Sequence, residues 1–298
     1  MIDKLEFLIA LARERNFSRA ADSCGVTQPT LSAGIKQLEE ALGVLLVNRS
    51  SRFYGLTPEG ERVLEWARRI VSDARAMRQD VRASKTALAG HLTIAVVPTA
   101  LPIAAELTTP FQAKYPGVQF TILSRASRDI LVMLDDFQID AALTYIENEP
   151  LGDVHTVLLY RERYRLLTSA GSPLAERAEV TWAEAGRIGL CLLTPDMQNR
   201  RIIDRLLARS GPPPEPPLES DSILVLFSHV RTGRYACIMP EKFTSLLGVR
   251  EPLRAIPVIE PLETQAIGLV SPRREPIPAI THALITEAAR LSNGRRTQ

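Results

Sequence analysis

The segment Ser18 to Leu42 constrains the fold of this chain more than any other part of it. It reads SRAADSCGVTQPTLSAGIKQLEEAL, which predicts two short helices joined by a tight turn at Gly25. Ser18 is expected to cap the first helix, and Thr27 the second, with Pro29 in its first turn. Apolar residues of the second helix recur at spacings of four, three and four, which predicts one stripe facing a core. They are Leu31, Ile35, Leu38 and Leu42.

The opposite face of the second helix carries small and polar side chains. Hydroxyl, amide and small groups reach base edges in a DNA major groove, and a lysine reaches phosphate. The residues on this face are Gln28, Thr30, Ser32, Ala33, Lys36 and Gln37. The pattern predicts a helix that reads DNA, although an ordinary helical hairpin would show the same spacing.

A long helix is predicted from Pro58, with Thr57 as its cap and two glutamates in its first turn, where the helix dipole favours anions. Its apolar positions alternate four and three apart, as in a coiled coil. They are Val63, Ala67, Ile70, Ala74, Met77, Val81, Ser84 and Leu88. Such a narrow stripe predicts a partner helix from a second subunit. The alternative is a helix that packs on its own domain.

The stretch LEFLIALARERNFSRAADSCGVTQPTLSAGIKQLEEALGVLLVNRSSRFYGLTPEG resembles the winged helix-turn-helix of LysR-type transcriptional regulators, and LTPEG is similar to the opening of their linker helix. The resemblance covers residues 1–60 densely and the rest of the chain by architecture. It implies a bacterial regulator that binds a double-stranded DNA operator and a small-molecule inducer. It also implies a homodimer through residues 59–90 and assembly as a homotetramer. RNA polymerase is a further candidate partner.

The same resemblance implies which residues touch DNA. The residues expected to face the groove are Gln28, Pro29, Thr30, Ser32, Ala33 and Lys36, and the wing residues expected to hold the backbone are Arg49 and Arg52. Many relatives carry a longer polar residue where this chain has Ala33 or Gly34. Gly34 also costs helix stability of about 1 kcal/mol. The bases that are read therefore stay open.

Beyond Gly90, compact apolar runs alternate with helical stretches, which predicts parallel sheets covered on both faces. These runs are residues 92–97, 118–123, 140–145, 164–169, 188–193, 235–240 and 266–271. The resemblance implies the fold of type II periplasmic binding proteins, in which a cleft separates two lobes. The expected fold class is multi-domain: an all-α winged helix-turn-helix with a long linker helix, then a two-lobed α/β type II periplasmic-binding-protein-like domain.

The expected domains follow from these two parts of the sequence. Residues 1–58 form the DNA-binding domain, residues 59–90 the linker and dimerisation helix, and residues 91–298 the effector-binding domain. Within the last, lobe I is expected at about 91–162 and 267–298, and lobe II at about 163–266.

Ligands of parallel sheets bind beyond the carboxyl ends of the strands, where helix N-termini offer N–H groups to an anion. The residues placed in this way are Thr99, Ala100, Ser124, Ser127, Thr144, Gln198 and Asn199. Ser127 has a simpler alternative role as the cap of the next helix. The predicted inducer is a small organic anion, with Arg125 and Arg128 either as cationic contacts or as solvated surface residues.

The chain has three cysteines, Cys24, Cys191 and Cys237, and no CxxC pair, which favours reduced, buried thiols in the cytoplasm. The N-terminal domain is especially similar to that of peroxide-sensing family members, which carry a reactive cysteine in the loop after the strand corresponding to residues 188–193. Here that loop reads TPDMQNRRIIDRLL and has no cysteine. Burial at Cys191 disfavours a thiolate. The favoured hypothesis is therefore a metabolite sensor, and the alternative is a thiol-based, peroxide-responsive regulator.

Two other classes of protein are less favoured. A solute-binding protein would share the two-lobed body, but it would have no use for the first 90 residues. An enzyme is disfavoured because the GxSxG, HExxH, GxxxxGK and GxGxxG motifs are absent. No cofactor is expected, and the histidines lack metal-ligand spacing. The formal net charge of +2 permits DNA binding without requiring it.

The sequence shows no secretion signal and no apolar run of bilayer-spanning length. A cytoplasmic location and no membrane partner are therefore expected.

Overall fold

The computed structural model describes residues 1–49, 53–83, 88–212 and 215–296. These residues form two compact units. The first comprises Met1–Ala89 with Asp135–Gln138, and the second comprises Gly90–Leu134 with Ile139–Gln298. No helix in the described ranges is long and apolar enough to span a membrane.

The first unit is a small helical domain with a two-stranded wing and one long helix. Its elements are α1 (Ile2–Glu14), α2 (Phe17–Ser23), α3 (Gln28–Leu42), β1 (Val47–Arg49), β2 (Phe53–Leu56) and α4 (Pro58–Ala83). Strands β1 and β2 pair antiparallel and form the wing. The apolar faces of α1, α2, α3 and the first part of α4 share one core.

Local capping explains where α2 and α3 begin. Thr27 caps α3 as predicted, because its Oγ1 accepts the Thr30 N–H at 3.4 Å. The prediction that Ser18 caps α2 is wrong, since Asn16 Oδ1 accepts the Arg19 N–H at 3.0 Å and α2 starts at Phe17. Both residue types are good caps, but only Asn16 lies just before the first turn. The inward stripe of α3 is correct except at Leu42, which is exposed at the end of the helix.

Close packing at two glycines holds α1, α3, α4 and the wing together. A Cβ on Gly34 would lie 2.6 Å from the ring of Phe7, so only glycine allows α3 to approach α1 this closely. A Cβ on Gly60 would lie 2.1 Å from the carbonyl oxygen of Leu46. The loss of helix propensity at Gly34 is therefore offset by burial against Phe7.

Helix α4 departs from the predicted single stripe. The described part of α4 runs to Ala83, Leu88 is not helical, and Ser84 lies outside the described residues. Ala67 and Ala74 are buried, and Ala67 belongs to the core of the first unit. A different set of large apolar side chains is exposed along α4: Trp66, Ile70, Met77 and Val81. The small residues Ala67 and Ala74 of the predicted stripe are thus buried, whereas these large apolar side chains of α4 are left on the surface.

The second unit alternates strands and helices. In chain order its elements are β3 (Ala89–Val96), α5 (Leu101–Lys114), β4 (Gly117–Ser124), α6 (Ser127–Asp135), β5 (Ala141–Tyr145), β6 (Val154–Glu162), β7 (Tyr164–Ser169), β8 (Val180–Thr181), α7 (Trp182–Ala185), β9 (Cys191–Leu193), α8 (Gln198–Leu207), β10 (Leu218–Ser220), α9 (Ile223–Val230), β11 (Cys237–Pro240), α10 (Glu241–Leu246), β12 (Leu253–Ile259), β13 (Gln265–Pro272) and α11 (Ala279–Arg296). Short 3-10 turns cover Pro98–Ala100 and Ala208–Ser210.

The strands of this unit form two lobes. The lobe I sheet has the order β4-β3-β5-β13-β6, and the main lobe II sheet has the order β11-β7-β12-β8. Strand β9 pairs parallel with β10. Leu190 and Ala236, the residues just before β9 and β11, form an isolated parallel bridge. The chain passes from lobe I to lobe II between β6 and β7 and returns between β12 and β13. Lobe II is therefore one uninterrupted segment placed within lobe I.

The prediction of parallel sheets is correct only in part. Strands β3 and β5 pair parallel, as do β9 and β10. Strand β13 runs antiparallel to both β5 and β6, and β7 runs antiparallel to β11 and β12. The returning chain enters lobe I from the opposite direction, which gives mixed sheets.

Candidate functional site

The outer face of α3 presents the predicted DNA-reading residues. Five of them are exposed and Ser32 is half-buried; the exposed residues are Gln28, Pro29, Thr30, Ala33 and Lys36. The hydroxyls of Thr27 and Thr30 lie 2.9 Å apart, and Ser18 Oγ donates to Gln28 Oε1 at 3.3 Å. These short contacts orient the N-terminal end of α3 while leaving its surface open.

The wing is attached to α3 by a residue that the sequence patterns did not reveal. Glu39 is buried, and its Oε1 accepts the backbone N–H of Leu46 at 2.9 Å and of Val47 at 3.2 Å. A buried carboxylate that satisfies two amides fixes the start of β1 relative to α3. Of the two predicted wing arginines, Arg49 is the last residue of β1, and Arg52 lies outside the described residues.

In the second unit, a buried polar network joins the two lobes. Thr99 Oγ1 lies 2.9 Å from Tyr145 Oη, and Asn199 Nδ2 donates to the same Tyr145 Oη at 3.4 Å. Tyr145 in turn donates to Glu162 Oε1 at 3.1 Å. Thr99, Tyr145 and Glu162 belong to lobe I, whereas Asn199 is on α8 of lobe II. We call these four residues the polar network.

Glu162 is the titratable centre of the polar network. Burial raises the pKa of this carboxyl from 4.5 to about 8, and the hydroxyls of Tyr145 and Tyr160 lower it by a smaller amount. Burial also raises the pKa of Tyr145 well above its usual value. Glu162 is therefore largely protonated at neutral pH, and the network buries no full negative charge there.

A second set of contacts between the lobes centres on Arg201 of α8. Its Nη2 donates to Ser127 Oγ at 3.2 Å and to Glu149 Oε1 at 2.6 Å, both in lobe I. Its Nε donates to Gln198 Oε1 at 2.8 Å. The expected capping role of Ser127 is not seen, because α6 begins at Ser127 itself and the serine hydroxyl accepts from Arg201.

The predicted effector residues fall into three groups. Thr99, Ser127, Gln198 and Asn199 line one small cavity of about 10 Å³ between the lobes, which is the space of a single water. Ser124 instead lines the larger cavity described next. Ala100 and Thr144 are buried and line neither of these cavities. Four of the seven residues therefore come together, but their own side chains fill most of the space.

The larger cavity, here called the interlobe cavity, has a volume of about 530 Å³. Its apolar walls come from both lobes and include Leu101, Ile223, Phe227, Phe243 and Leu247. Its charged lining residues are Arg125, Asp129, Asp196 and Asp221. Three carboxylates against one guanidinium favour a cationic or neutral ligand over an anion.

The described residues contain no group of three or more His, Cys, Asp or Glu side chains arranged to hold a metal ion.

Cys191 and Cys237, here called the thiol pair, lie side by side in the core of lobe II. Leu190 is bridged to Ala236 in parallel register, and the Cys191 N–H donates to Ala236 O at 2.8 Å. The cysteines are thus the next residues along two neighbouring strands. Both are free and fully buried in one apolar cluster.

The two thiols have different acidities. A hydrogen bond from the Cys237 thiol lowers the pKa of Cys191, despite the opposing effect of burial. Burial and the neighbouring Cys191 raise the pKa of Cys237 well above its usual value. Burial does disfavour a thiolate at Cys191, as expected, but the neighbouring Cys237 thiol, which the sequence did not reveal, has the larger and opposite effect on the pKa of Cys191.

The chain is similar to regulators that are named for their response to hydrogen peroxide. It is 26% identical over 300 residues to the hydrogen peroxide-inducible genes activator of Haemophilus influenzae, covering 98% of this chain and 99% of that protein. It is 27% identical over 270 residues to the protein of the same name from Dickeya chrysanthemi, covering 90% and 88%. Its fold matches the solved structure of a full-length OxyR variant from Pseudomonas aeruginosa with a TM-score of 0.76, 24% identity and coverage of 98% and 94%.

Family models match both parts of the sequence. Residues 2–61 match the model described as "Bacterial regulatory helix-turn-helix protein, lysR family", and residues 85–292 match the "LysR substrate binding domain". These matches confirm the resemblance on which the fold and the regulatory role were predicted. The chain therefore belongs to the LysR family of DNA-binding bacterial transcription regulators.

Proposed function

We propose that operator binding by this regulator responds to an oxidant such as hydrogen peroxide through thiol chemistry. The observation that carries the proposal is the thiol pair, because two free cysteines lie on neighbouring strands in one apolar cluster of lobe II, where the pKa of Cys191 is lowered. Relatives named as hydrogen peroxide-inducible genes activators, which align over 88–99% of their length, support it. This hypothesis replaces the metabolite sensor that the sequence favoured.

The proposal is tested by footprinting the full-length protein on DNA upstream of its own gene and of a divergent neighbour. The expected sites are interrupted palindromes, because a two-fold dimer places two copies of α3 in successive major grooves. Hydrogen peroxide is expected to change the affinity or the footprint by about 5-fold to 150-fold, as is typical of allosteric coupling. Dithiothreitol should reverse the change. An identical footprint before and after oxidation of the thiols would contradict the proposal.

In the same proposal, α3 and the wing form the DNA-binding surface. The residues assigned to the groove are Gln28, Pro29, Thr30, Ser32, Ala33 and Lys36, with Arg49 and Arg52 on the phosphate backbone. The exposure of all the groove residues except Ser32 supports this assignment. Since the operator is chromosomal, the protein acts in the cytoplasm.

We also propose that residues 59–90 join two subunits. In each subunit this segment follows a DNA-binding domain at residues 1–58 and precedes an effector domain at residues 91–298. The exposed side chains of Trp66, Ile70, Met77 and Val81 on α4 support this, because large exposed apolar side chains along one side of a helix are typical of a protein interface. Two such dimers would form the homotetramer.

Ile70→Asp combined with Met77→Asp tests the assembly, because it places like charges in the stripe. Light scattering should report smaller species, and operator affinity should fall. Arg69→Asp, at an exposed position of α4 outside the stripe, is the control and should leave the mass unchanged. An unchanged mass for the double variant would rule out this interface.

The interlobe cavity supports a second candidate function, the binding of a small organic inducer. A volume of about 530 Å³ with apolar walls suits such a ligand. The three aspartates and one arginine that line the cavity disfavour the predicted organic anion. Benzylammonium and benzoate form a matched pair of probes, and only benzylammonium should raise the melting temperature of the chain. A shift with benzoate alone would restore the anion hypothesis.

A further inference from the structure

The backbone places the thiol pair at a separation that a disulfide can span. Neighbouring strands lie about 4.8 Å apart, and disulfides join Cα atoms about 4.4–6.8 Å apart. Cys191 begins β9 and Cys237 begins β11, one residue beyond the bridge between Leu190 and Ala236. Both side chains enter the same apolar cluster. A covalent link between them therefore needs a local adjustment rather than the movement of a whole element.

The roles of the two sulfurs follow from their surroundings. Cys191 receives the hydrogen bond of the Cys237 thiol, which stabilises its thiolate and lowers its pKa. Cys237 lies wholly in apolar surroundings, which raise its pKa. We therefore take Cys191 as the attacking sulfur and Cys237 as the sulfur that reacts second, and the same disulfide forms if the two sulfurs exchange roles.

We propose that a hydroperoxide converts Cys191 and Cys237 into a disulfide, and that this bond alters how α8 is held against lobe I. The inference rests on the proposed oxidant response and names the residues that carry it. It assigns a redox site within two strands of lobe II, away from the loop that follows β9.

The reaction balances with hydrogen peroxide as the two-electron oxidant. The Cys191 thiolate attacks one peroxide oxygen and the O–O bond breaks, which leaves a sulfenic acid and hydroxide. The hydroxide takes up the proton that Cys191 released and becomes water. Cys237 then attacks the sulfur of Cys191 as its own proton leaves. The S–O bond breaks, the S–S bond forms, and a second water departs.

We infer that peroxide reaches the thiol pair from the interlobe cavity. Met197, Ile223 and Phe243 line that cavity and also belong to the cluster that encloses both sulfurs. Cys191 Sγ lies 3.8 Å from the carbonyl oxygen of Leu226, in the same helix α9 as Ile223. Displacement of α9 therefore opens the route, and it limits the rate because both thiols are fully buried.

The disulfide acts on the interface between the lobes because β9 leads directly into α8. Two sulfurs in hydrogen-bond contact must approach to about 2.05 Å to form the bond, which draws the start of β9 toward β11. Strand β9 ends at Leu193, and α8 follows at Gln198. Asn199 and Arg201 of this helix make the contacts with Tyr145, Ser127 and Glu149 of lobe I.

The test uses the full-length protein, with and without hydrogen peroxide, in four forms. Wild type is compared with Cys191→Ala and with Cys237→Ser, and Cys24→Ser serves as the control because Cys24 lies in the first unit. Melting curves under reducing conditions show whether each variant is folded. Non-reducing peptide mass spectrometry and operator affinity are then measured on the same samples.

The expected result is a linked peptide containing Cys191 and Cys237 in wild type and in Cys24→Ser. Their operator affinity should change by about 5-fold to 150-fold on oxidation, whereas either variant of the thiol pair should keep the affinity of the reduced protein. An oxidised wild type without that linked peptide overturns the inference. A full peroxide response in folded Cys191→Ala and Cys237→Ser also overturns it, but leaves the proposed oxidant function intact. A linked peptide in wild type with no change in operator affinity overturns the oxidant function and, with it, the regulatory half of the inference.

Discussion

In the first unit, the candidate site is an exposed surface above an apolar core, whereas in the second unit the candidate residues are themselves buried. Helix α3 is held by Leu31, Ile35 and Leu38 on one face and leaves its reading residues in solvent. In the polar network, Tyr145 instead bonds both to Glu162 of its own lobe and to Asn199 of the other lobe. A rigid support separated from its site suits recognition of DNA. A site made from the contacts between two lobes suits a response to a signal.

The largest effect on stability is expected at Glu162. Its absence would contradict the contrast between an exposed site in the first unit and a buried one in the second. Because burial raises the folded pKa of Glu162 from 4.5 to about 8, the folded chain retains a proton that the unfolded chain releases. Its contribution to stability is therefore full below about pH 4.5 and is lost as the pH rises to about 8. Within that window, this group should lower the free energy of unfolding by roughly 1.4 kcal/mol for each pH unit.

Denaturant unfolding of wild type and Glu162→Gln between pH 5 and about pH 8.5 measures this difference. The glutamine keeps an acceptor for Tyr145 but does not titrate, so the contribution of Glu162 to the pH slope should disappear. Glu176→Gln, at an exposed position, should keep the wild-type slope. Parallel pH profiles for wild type and Glu162→Gln would show that Glu162 is not the titrating group.

A smaller effect is expected where α4 meets the wing. Gly60→Ala places a Cβ 2.1 Å from Leu46 O, so backbone must move. Overpacking of this kind costs about 1–3 kcal/mol. Hydrogen exchange in α1 and α3 should accelerate, while exchange in the second unit stays unchanged. Gly294→Ala, with open space around it, should leave exchange in α1 and α3 unaltered. Unchanged protection in Gly60→Ala would mean that this packing is not needed for stability.

Loss of the buried carboxyl group at Glu39 should destabilise the protein by as much as Gly60→Ala or somewhat less. Glu39→Ala removes the acceptor of the Leu46 and Val47 amides, at a cost of about 1–3 kcal/mol. Exchange of those two amides should rise, and operator affinity should fall because the wing loses its attachment to α3. Its exposed neighbour, changed as Glu40→Ala, provides the control for charge. Equal amide exchange and equal operator affinity in Glu39→Ala and Glu40→Ala would refute a structural role for Glu39.

The smallest effect on stability, within about 0.5 kcal/mol, is expected for Lys36→Ala on the exposed face of α3. If Lys36 contacts phosphate, the slope of log affinity against log salt should decrease by about 1. The exposed Lys114→Ala in the second unit serves as its counterpart and should retain the wild-type slope. A loss of stability without any change in salt dependence would place Lys36 in the structure rather than on DNA.

Features that depend on nearby residues could be predicted from the sequence. Thr27, Pro29 and the stripe of α3 each follow from spacing within one or two helical turns. The wrong cap also has a local reason, because Asn16 and Ser18 are both good caps and the sequence does not show that α2 begins at Phe17. Strand β12 was missed because Pro257 interrupts its pattern.

Features that depend on distant residues could not be predicted. Tyr145 and Glu162 were not identified, since each is an ordinary residue of a strand until Thr99 and Asn199 are brought beside it. Cys191 and Cys237 show no motif spacing, and only the bridge between Leu190 and Ala236 makes them neighbours. Residue types alone also suggested an anion site, whereas Asp196 and Asp221 join the interlobe cavity from elements far along the chain.

The insertion of lobe II within lobe I has a consequence for the order in which the protein folds during synthesis. Strand β13 lies between β5 and β6 in the lobe I sheet, but the ribosome makes it only after the whole of lobe II. Until Gln265–Pro272 has left the exit tunnel, β5 and β6 each present an open edge that can pair with another chain. The first unit and lobe II are complete earlier. The nascent chain is therefore most exposed to aggregation in the interval before β13 closes the sheet, and it is there that a chaperone would be needed.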